Sequence, residues 1–131
     1  MNLHRYLERL ADTLRSRQDL ALESLRVTPA TLGAVFEARV RFYDGSEFIL
    51  AEELEQAGPR NVRRVAYKFQ YQQADGALIF RYDNAPHHPQ LATFPDHKHL
   101  GAQVCEARAP DLTEVLREIG DRLYPPTTQS V

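Results

Sequence analysis

Only one cysteine, Cys105, stands among the 131 residues. That excludes an internal disulfide and a thiolate-rich zinc site, and it fits a reducing compartment. Nothing around Cys105 resembles an activating motif, so it reads as a small buried apolar residue and not as a nucleophile. Long hydrophobic runs are missing as well: no window approaches the roughly 18 apolar residues needed to span a bilayer. The opening MNLHRYLERL carries charges every few residues, where a secretory signal would need an unbroken apolar stretch. The expectation is a cytoplasmic chain. An excess of one charge is lacking too, since 16 Lys and Arg against 18 Asp and Glu leave a net −2, a balance that does not advertise nucleic-acid binding. No internal repeat and no low-complexity tract occurs. What is present, 43% hydrophobic and 26% charged residues, is ordinary for a globular protein. The length fits one domain over residues 1–131 with a core of its own.

The global balance conceals a local one. Arg39, Arg41, Arg60, Arg63, Arg64, Lys68 and Arg81 fall in the middle third, whereas many acids lie in 47–55 and 106–121, which allows a basic patch on a sheet. Leu3, Tyr6, Leu7, Leu10 and Leu14 recur at spacings of three and four and predict an amphipathic helix over 3–16. From Asp19 to Leu32 the pattern weakens and Thr28-Pro29 breaks it, which predicts a connector with at most a short strand at 22–27. Asp44-Gly45 predicts a two-residue turn between strands 34–43 and 47–51. Centring the turn there opposes Phe42 to Glu47 and Val40 to Ile49, and puts Phe36, Ala38, Val40, Phe42, Ile49 and Ala51 on one core face. Asp75-Gly76 predicts a second hairpin, 62–72 with 77–83. Its register opposes Tyr71 to Phe80, Phe69 to Tyr82, Gln70 to Arg81 and Lys68 to Asp83, with an aromatic face of Val65, Tyr67, Phe69, Tyr71, Leu78, Phe80 and Tyr82. Asp111 with Glu114 forms a capping box for a helix over 111–124, stopped by Pro125-Pro126. The tail TTQSV should be loose. Helix, hairpin, hairpin, loop, helix predicts an α+β fold: an antiparallel meander of two Asp-Gly hairpins, in the segment 34–101, packed with an N-terminal and a C-terminal helix.

Between Arg81 and Leu100 lie four of the five histidines, three of the eight prolines and two aspartates. Pro86, Pro89 and Pro95 fix φ and lack an N–H, so this stretch should run as an ordered, extended loop. Histidine is the side chain whose ordinary pKa lies near neutrality, suited to moving protons, holding metal or gripping phosphate. Adjacent side chains of an extended chain point apart, so His87 and His88 meet one ion only if the backbone turns. His97 and His99, two apart, project to one side, a spacing that metal sites use, with Asp96, His88 or Asp83 as further ligands. The alternative is metal-free phosphodiester cleavage, with imidazoles as acid and base and Lys68 or Arg81 steadying phosphate. Tyr67 and Tyr71 read as core residues ahead of base-stacking platforms, and Arg39 and Arg41 as a solvated face of charge pairs ahead of an extension of the phosphate track. An ordinary ion pair is also open to Lys68 opposite Asp83.

The run LIFRYDNAPHHPQLATFPDHKHLG, preceded by Lys68 to Tyr71 and a DG turn and followed by PDLTEVLREI, resembles the small bacterial and archaeal family of the toxin TumE. The central signature covers 78–101 and a weaker pattern about 36–119. The resemblance implies a toxin of a type II toxin–antitoxin module, neutralised by a helix-turn-helix antitoxin encoded alongside. It is carried at Arg81, Asp83, Asn84, His87, His88, His97 and His99. The family typically has a histidine within the strand that here reads Tyr67 to Tyr71, and often another where Asp96 stands, so two possible ligands are missing.

The reading that results is a toxin acting on RNA as a ribonuclease, with no cofactor and a His-coordinated divalent metal as the lesser alternative. His88 or His99 would be base and His87 or His97 acid, or the reverse, with Lys68 and Arg81 clamping phosphate and Asp83 beside them. The competing reading is a non-enzymatic partner-binding module with structural histidines.

Overall fold

Two triplets that share Asp-Gly, Tyr43-Asp44-Gly45 and Ala74-Asp75-Gly76, turn the middle of the chain back on itself. In the computed structural model, which describes residues 1–126, each is a three-residue loop rather than the two-residue turn expected. The Gly45 N–H donates to Phe42 O and the Phe42 N–H to Ser46 O, and Gly76 and Gln73 repeat the pattern with Gln73 O and Ala77 O. Gly45 and Gly76 sit at φ +84° and +90°, the left-handed position that follows a type I turn in such loops. In each, the aspartate accepts the N–H two residues on, from Ser46 and Ala77.

The elements are α1 (Leu3–Arg15), β1 (Leu20–Ala30), β2 (Gly33–Phe42), β3 (Glu47–Gln56), β4 (Val62–Gln72), β5 (Leu78–Asp83), β6 (His97–Leu100), β7 (Gln103–Glu106) and α2 (Leu112–Leu123). The strands form one seven-stranded sheet in sequence order, each antiparallel to the next. The fold is therefore α+β, an antiparallel meander with a helix at each end. Asn2 caps α1 by accepting the Arg5 N–H, and Asp111 and Glu114 form both halves of the capping box on α2. Both helices cover one face of the sheet. Tyr6 on α1 donates its hydroxyl to Glu52 at 2.6 Å, and Tyr82 donates to Glu118 on α2 at 2.6 Å. On the covered side, Phe36, Phe48, Phe69 and Phe80 are fully buried with Leu14, Leu116 and Ile119, each apolar side chain contributing about 1.5–3 kcal/mol. No helix among the described residues is long and apolar enough to cross a membrane.

Several expectations need correction. The connector is an 11-residue strand, β1, because an edge strand accommodates Pro29 where a central one would lose a ladder bond. Three loop residues at the first hairpin shift its register by one, pairing Arg41 with Glu47, Val40 with Phe48 and Ala38 with Leu50. Phe48 and Leu50 thus enter the core while Ile49 and Ala51 turn to the opposite face. The second hairpin pairs Lys68 with Asp83, Phe69 with Tyr82, Gln70 with Arg81 and Tyr71 with Phe80, as expected. It does so through an extra residue, since Gln72 pairs with Leu78 and Ile79 bulges out of the ladder; Ile79, not Leu78, packs on the core. Val65 likewise bulges between Arg64 and Ala66 and is 39% exposed. The histidine stretch is not one extended loop: its end forms β6, and β7 follows. Cys105, on β7, is only partly buried. The tail TTQSV lies outside the described residues.

Candidate functional site

Residues opposed across an antiparallel pair share a side of the sheet, so β4, β5 and β6 build two rows on the face away from the helices. One runs Lys68, Asp83, His97 and the other Gln70, Arg81, His99. Lys98 and Leu100, between and beyond the histidines, face the helices instead, and the Lys98 Nζ pairs with Glu118 at 2.6 Å. The segment between β5 and β6 returns through a series of tight turns. His87 N–H donates to Ala85 O, Leu91 N–H to His88 O, Phe94 N–H to Leu91 O and Asp96 N–H to Thr93 O, with Pro89 at the second position of one turn, where its fixed φ fits. This folding sets His88 over the two strand histidines, its ring 4.9 Å from that of His97 and 5.9 Å from that of His99. The neighbouring His87 is exposed.

Asp83 is the hub. Its Oδ2 accepts the Arg81 Nε–H at 2.9 Å, and its Oδ1 accepts the Ala85 N–H and lies 3.0 Å from His97 Nε2. His99 Nε2 lies 3.6 Å from Oδ2, 3.1 Å from the Arg81 terminal nitrogen and 3.1 Å from His97 Nε2. These partners fix the protons. His97 Nδ1 is 2.9 Å from Pro95 O, and a carbonyl only accepts, so Nδ1 carries hydrogen. A guanidinium only donates, so His99 Nε2 presents a lone pair to Arg81. His97 Nε2 therefore confronts two acceptors, the Asp83 carboxylate and the His99 lone pair, and the three atoms are satisfied only with a positive centre, a proton or a cation, among them. Burial, and then the Arg81 charge, lower the His99 pKa from its ordinary value, which keeps its lone pair free near neutrality. His97 is 2% exposed, whereas the side chains of His99 and Arg81 are 17% and 32% exposed, so the cluster opens to solvent on the Arg81–His99 side. Nitrogens of His88, His97 and His99 all lie within 4.8 Å of one another, so these three imidazoles could hold a metal.

Other expected positions lie elsewhere. Lys68 is exposed on the open face, in line with Asp83, but Asp83 is engaged by Arg81 and His97. Asp96 turns away from the histidines and accepts the Tyr67 hydroxyl at 2.9 Å. Asn84 stitches the end of β5 to the Val65 bulge, accepting the Tyr67 N–H and donating to Val65 O. Tyr67 and Tyr71 are core residues. Arg39 and Arg41 are held by Glu47 and Glu23. A cavity of about 680 Å³ near Asp44, Gln73 and Arg122 is not at the histidines. The residue that sequence reasoning did not assign is Pro95, whose carbonyl orients His97; a signal for it was present in the Pro95-Asp96-His97 spacing.

Comparison with known proteins agrees with the sequence resemblance. No curated protein and no solved structure matches the chain. The family model described as "Toxin TumE" matches residues 8–123, which spans the sheet, the histidine pocket, most of α1 and all of α2. The chain belongs to the TumE toxin family.

Proposed function

We propose that this protein is the toxin of a type II toxin–antitoxin module, restrained by a cognate helix-turn-helix antitoxin, and that it breaks RNA phosphodiester bonds at the Arg81–Asp83–His88–His97–His99 pocket. The observation that carries this reading is the gathering of those five side chains, from β5, β6 and the segment joining them, on the side of the sheet that the helices leave uncovered. Attack by a ribose 2′-oxygen forms an O2′–P bond and breaks the P–O5′ bond; one proton leaves the 2′-oxygen and one reaches the departing O5′. Such a reaction needs groups that move protons and hold charge, and no further reactant. Arg81 offers a planar fork to the non-bridging oxygens, and Lys68, exposed on the same face, meets an adjoining phosphate. Proton transfer belongs to the open side of the pocket, at His88 and His99. His97, nearly inaccessible and held by Pro95 and Asp83, is a positioning residue.

Growth arrest on expression, together with cleavage of total RNA by the purified chain, tests this. His99→Ala and Arg81→Ala are expected to relieve arrest while the proteins stay folded by circular dichroism. Both folded variants remaining toxic would remove the pocket from the activity. Arrest without any RNA cleavage would overturn the ribonuclease and leave a toxin that acts by binding a partner.

A further inference from the structure

We propose that His97, His99 and Asp83, closed over by His88, form a binding site for one divalent transition-metal ion of borderline softness, of the Zn²⁺ class. The site is argued from geometry alone; its part in RNA cleavage rests on the reading above.

Three of the four donors already stand at ligand spacing. A tetrahedral ion with bonds of about 2.0–2.1 Å to nitrogen holds its ligand atoms about 3.3 Å apart. The observed separations are 3.1 Å from His97 Nε2 to His99 Nε2, 3.0 Å from His97 Nε2 to Asp83 Oδ1, and 3.6 Å from His99 Nε2 to the other carboxylate oxygen, Oδ2, so Asp83 spans the two imidazoles with one oxygen toward each. The arrangement sets acceptor against acceptor until a positive centre enters it, and a cation resolves all three contacts at once. The correct nitrogen of His97 is presented, since its Nδ1–H is committed to Pro95 O at 2.9 Å, the carbonyl partner that metal-bound imidazoles usually have. His88 supplies a fourth nitrogen within 4.8 Å of the other two histidines. It comes from the turn segment and not from the sheet, so the rigid part of the site is the strand-borne trio.

The donor set selects the ion. Imidazoles with a single carboxylate suit Zn²⁺, and the absence of an oxygen cage disfavours Mg²⁺ and Ca²⁺. Binding asks for two rearrangements: His88, within 4.8 Å of the other two histidines, closes in to ligand distance, and the terminal nitrogen of Arg81, 3.1 Å from His99 Nε2, leaves that lone pair, while its Nε keeps the 2.9 Å bond to Asp83. The freed end of the guanidinium then faces the open side of the pocket. Asp83 and Arg81 cancel in charge, so the ion would give the pocket its positive field, directed at a phosphodiester; with the lone pairs of His88 and His99 spent on the ion, a water bound to it would take over the proton transfer those two serve in the metal-free pocket.

The test uses the untagged full-length chain, stripped with chelator, and reads Zn²⁺ binding by calorimetry and Co²⁺ binding by visible absorption. One ion per chain, with the intense bands of a four-coordinate Co²⁺ and no response to Mg²⁺, is expected. His88→Ala and His99→Ala should each weaken Zn²⁺ binding about tenfold or more. His4→Ala, which removes the exposed His4–Glu8 pair on α1 with its 3.0 Å contact, should leave it unchanged. No saturable Zn²⁺ binding by the folded wild-type chain would overturn the proposal, as would affinity that survives intact in a folded His88→Ala/His99→Ala double variant. The two readings fail separately. RNA cleavage that persists in the stripped chain without Zn²⁺ binding overturns the ion and keeps the ribonuclease; Zn²⁺ binding without RNA cleavage keeps the ion and overturns the ribonuclease.

Discussion

Glu47 illustrates how single residues settle the character of the open face. It is 7% exposed yet charged, because Arg39 donates to it at 2.7 Å and Arg41 approaches at 3.2 Å. The hydrogen bond from Arg39 holds its carboxyl below the ordinary value of 4.5. A carboxyl whose pKa is depressed by folding adds stability above its unfolded pKa and loses it as pH falls through the folded one. Stability should therefore drop on acidification below about pH 5, by no more than about 1 kcal/mol from this group, since both arginines are half exposed. Thermal melts of wild type and Glu47→Gln across that range check it: the variant should lose part of the acid slope, and an identical slope would remove Glu47 as a contributor. At this scale the sequence was legible where chemistry is local. The two-residue spacing of His97 and His99 predicted a common side, and they share one. The 3.0 Å contact of His97 with Asp83 was not legible, because it depends on a strand pairing that short, polar β6 does not announce.

Elements are decided by turns and close approaches. Gly33 opens β2 where β3 passes so near that a Cβ would lie 1.7 Å from the Leu54 carbonyl oxygen and 2.7 Å from its carbon. Both are backbone atoms, so Gly33→Ala cannot be relieved by a rotamer change and should cost at least about 1–3 kcal/mol, measured as a fall in the denaturant midpoint. An unchanged midpoint would mean that the two strands separate freely. The hairpins show why register was half legible. Both loops have three residues where two were expected, an offset of one in each. In the first nothing compensates, so Phe48 and Leu50 take the core places assigned to Ile49 and Ala51. In the second the bulge at Ile79 restores the count, and the expected pairs are found from Tyr71–Phe80 onward. Loop length was hidden because Asp-Gly serves both turn types, differing in whether glycine is the second or the third loop residue. β6 and β7 escaped notice because four-residue strands lie below the length at which alternation carries a signal.

For the molecule as a whole, the division between a helix-covered face and an open one governs how it would meet RNA. Most arginines on or near the open face are committed to carboxylates: Arg26 to Glu37, Arg39 and Arg41 to Glu47, Arg63 to Glu55. That leaves Arg81 and Lys68 as the cations nearest the pocket. Single-stranded RNA held by two phosphate contacts should lose affinity with salt at a log–log slope of about −1.4. Binding measured by fluorescence anisotropy over a range of salt concentrations checks this. A slope steeper than about −4 would place the contact on a wider basic surface. The basic cluster of the middle third does not survive as a patch of free cations, since folding pairs most of it with carboxylates.

Ile79, the surplus residue of β5, has an effect out of proportion to its place near a hairpin tip. Strands have only two sides, and the parity of the residue count decides which side each position takes. Were Ile79 to take a place in the ladder instead of bulging from it, it would oppose Tyr71, Arg81 and Asp83 would be thrust among the aromatic rings beneath the helices, and Phe80 would be presented to water. The kink at Ile79 thus keeps grease and charge on their proper sides, and a chain lacking that one residue would reach the same arrangement with no kink at all.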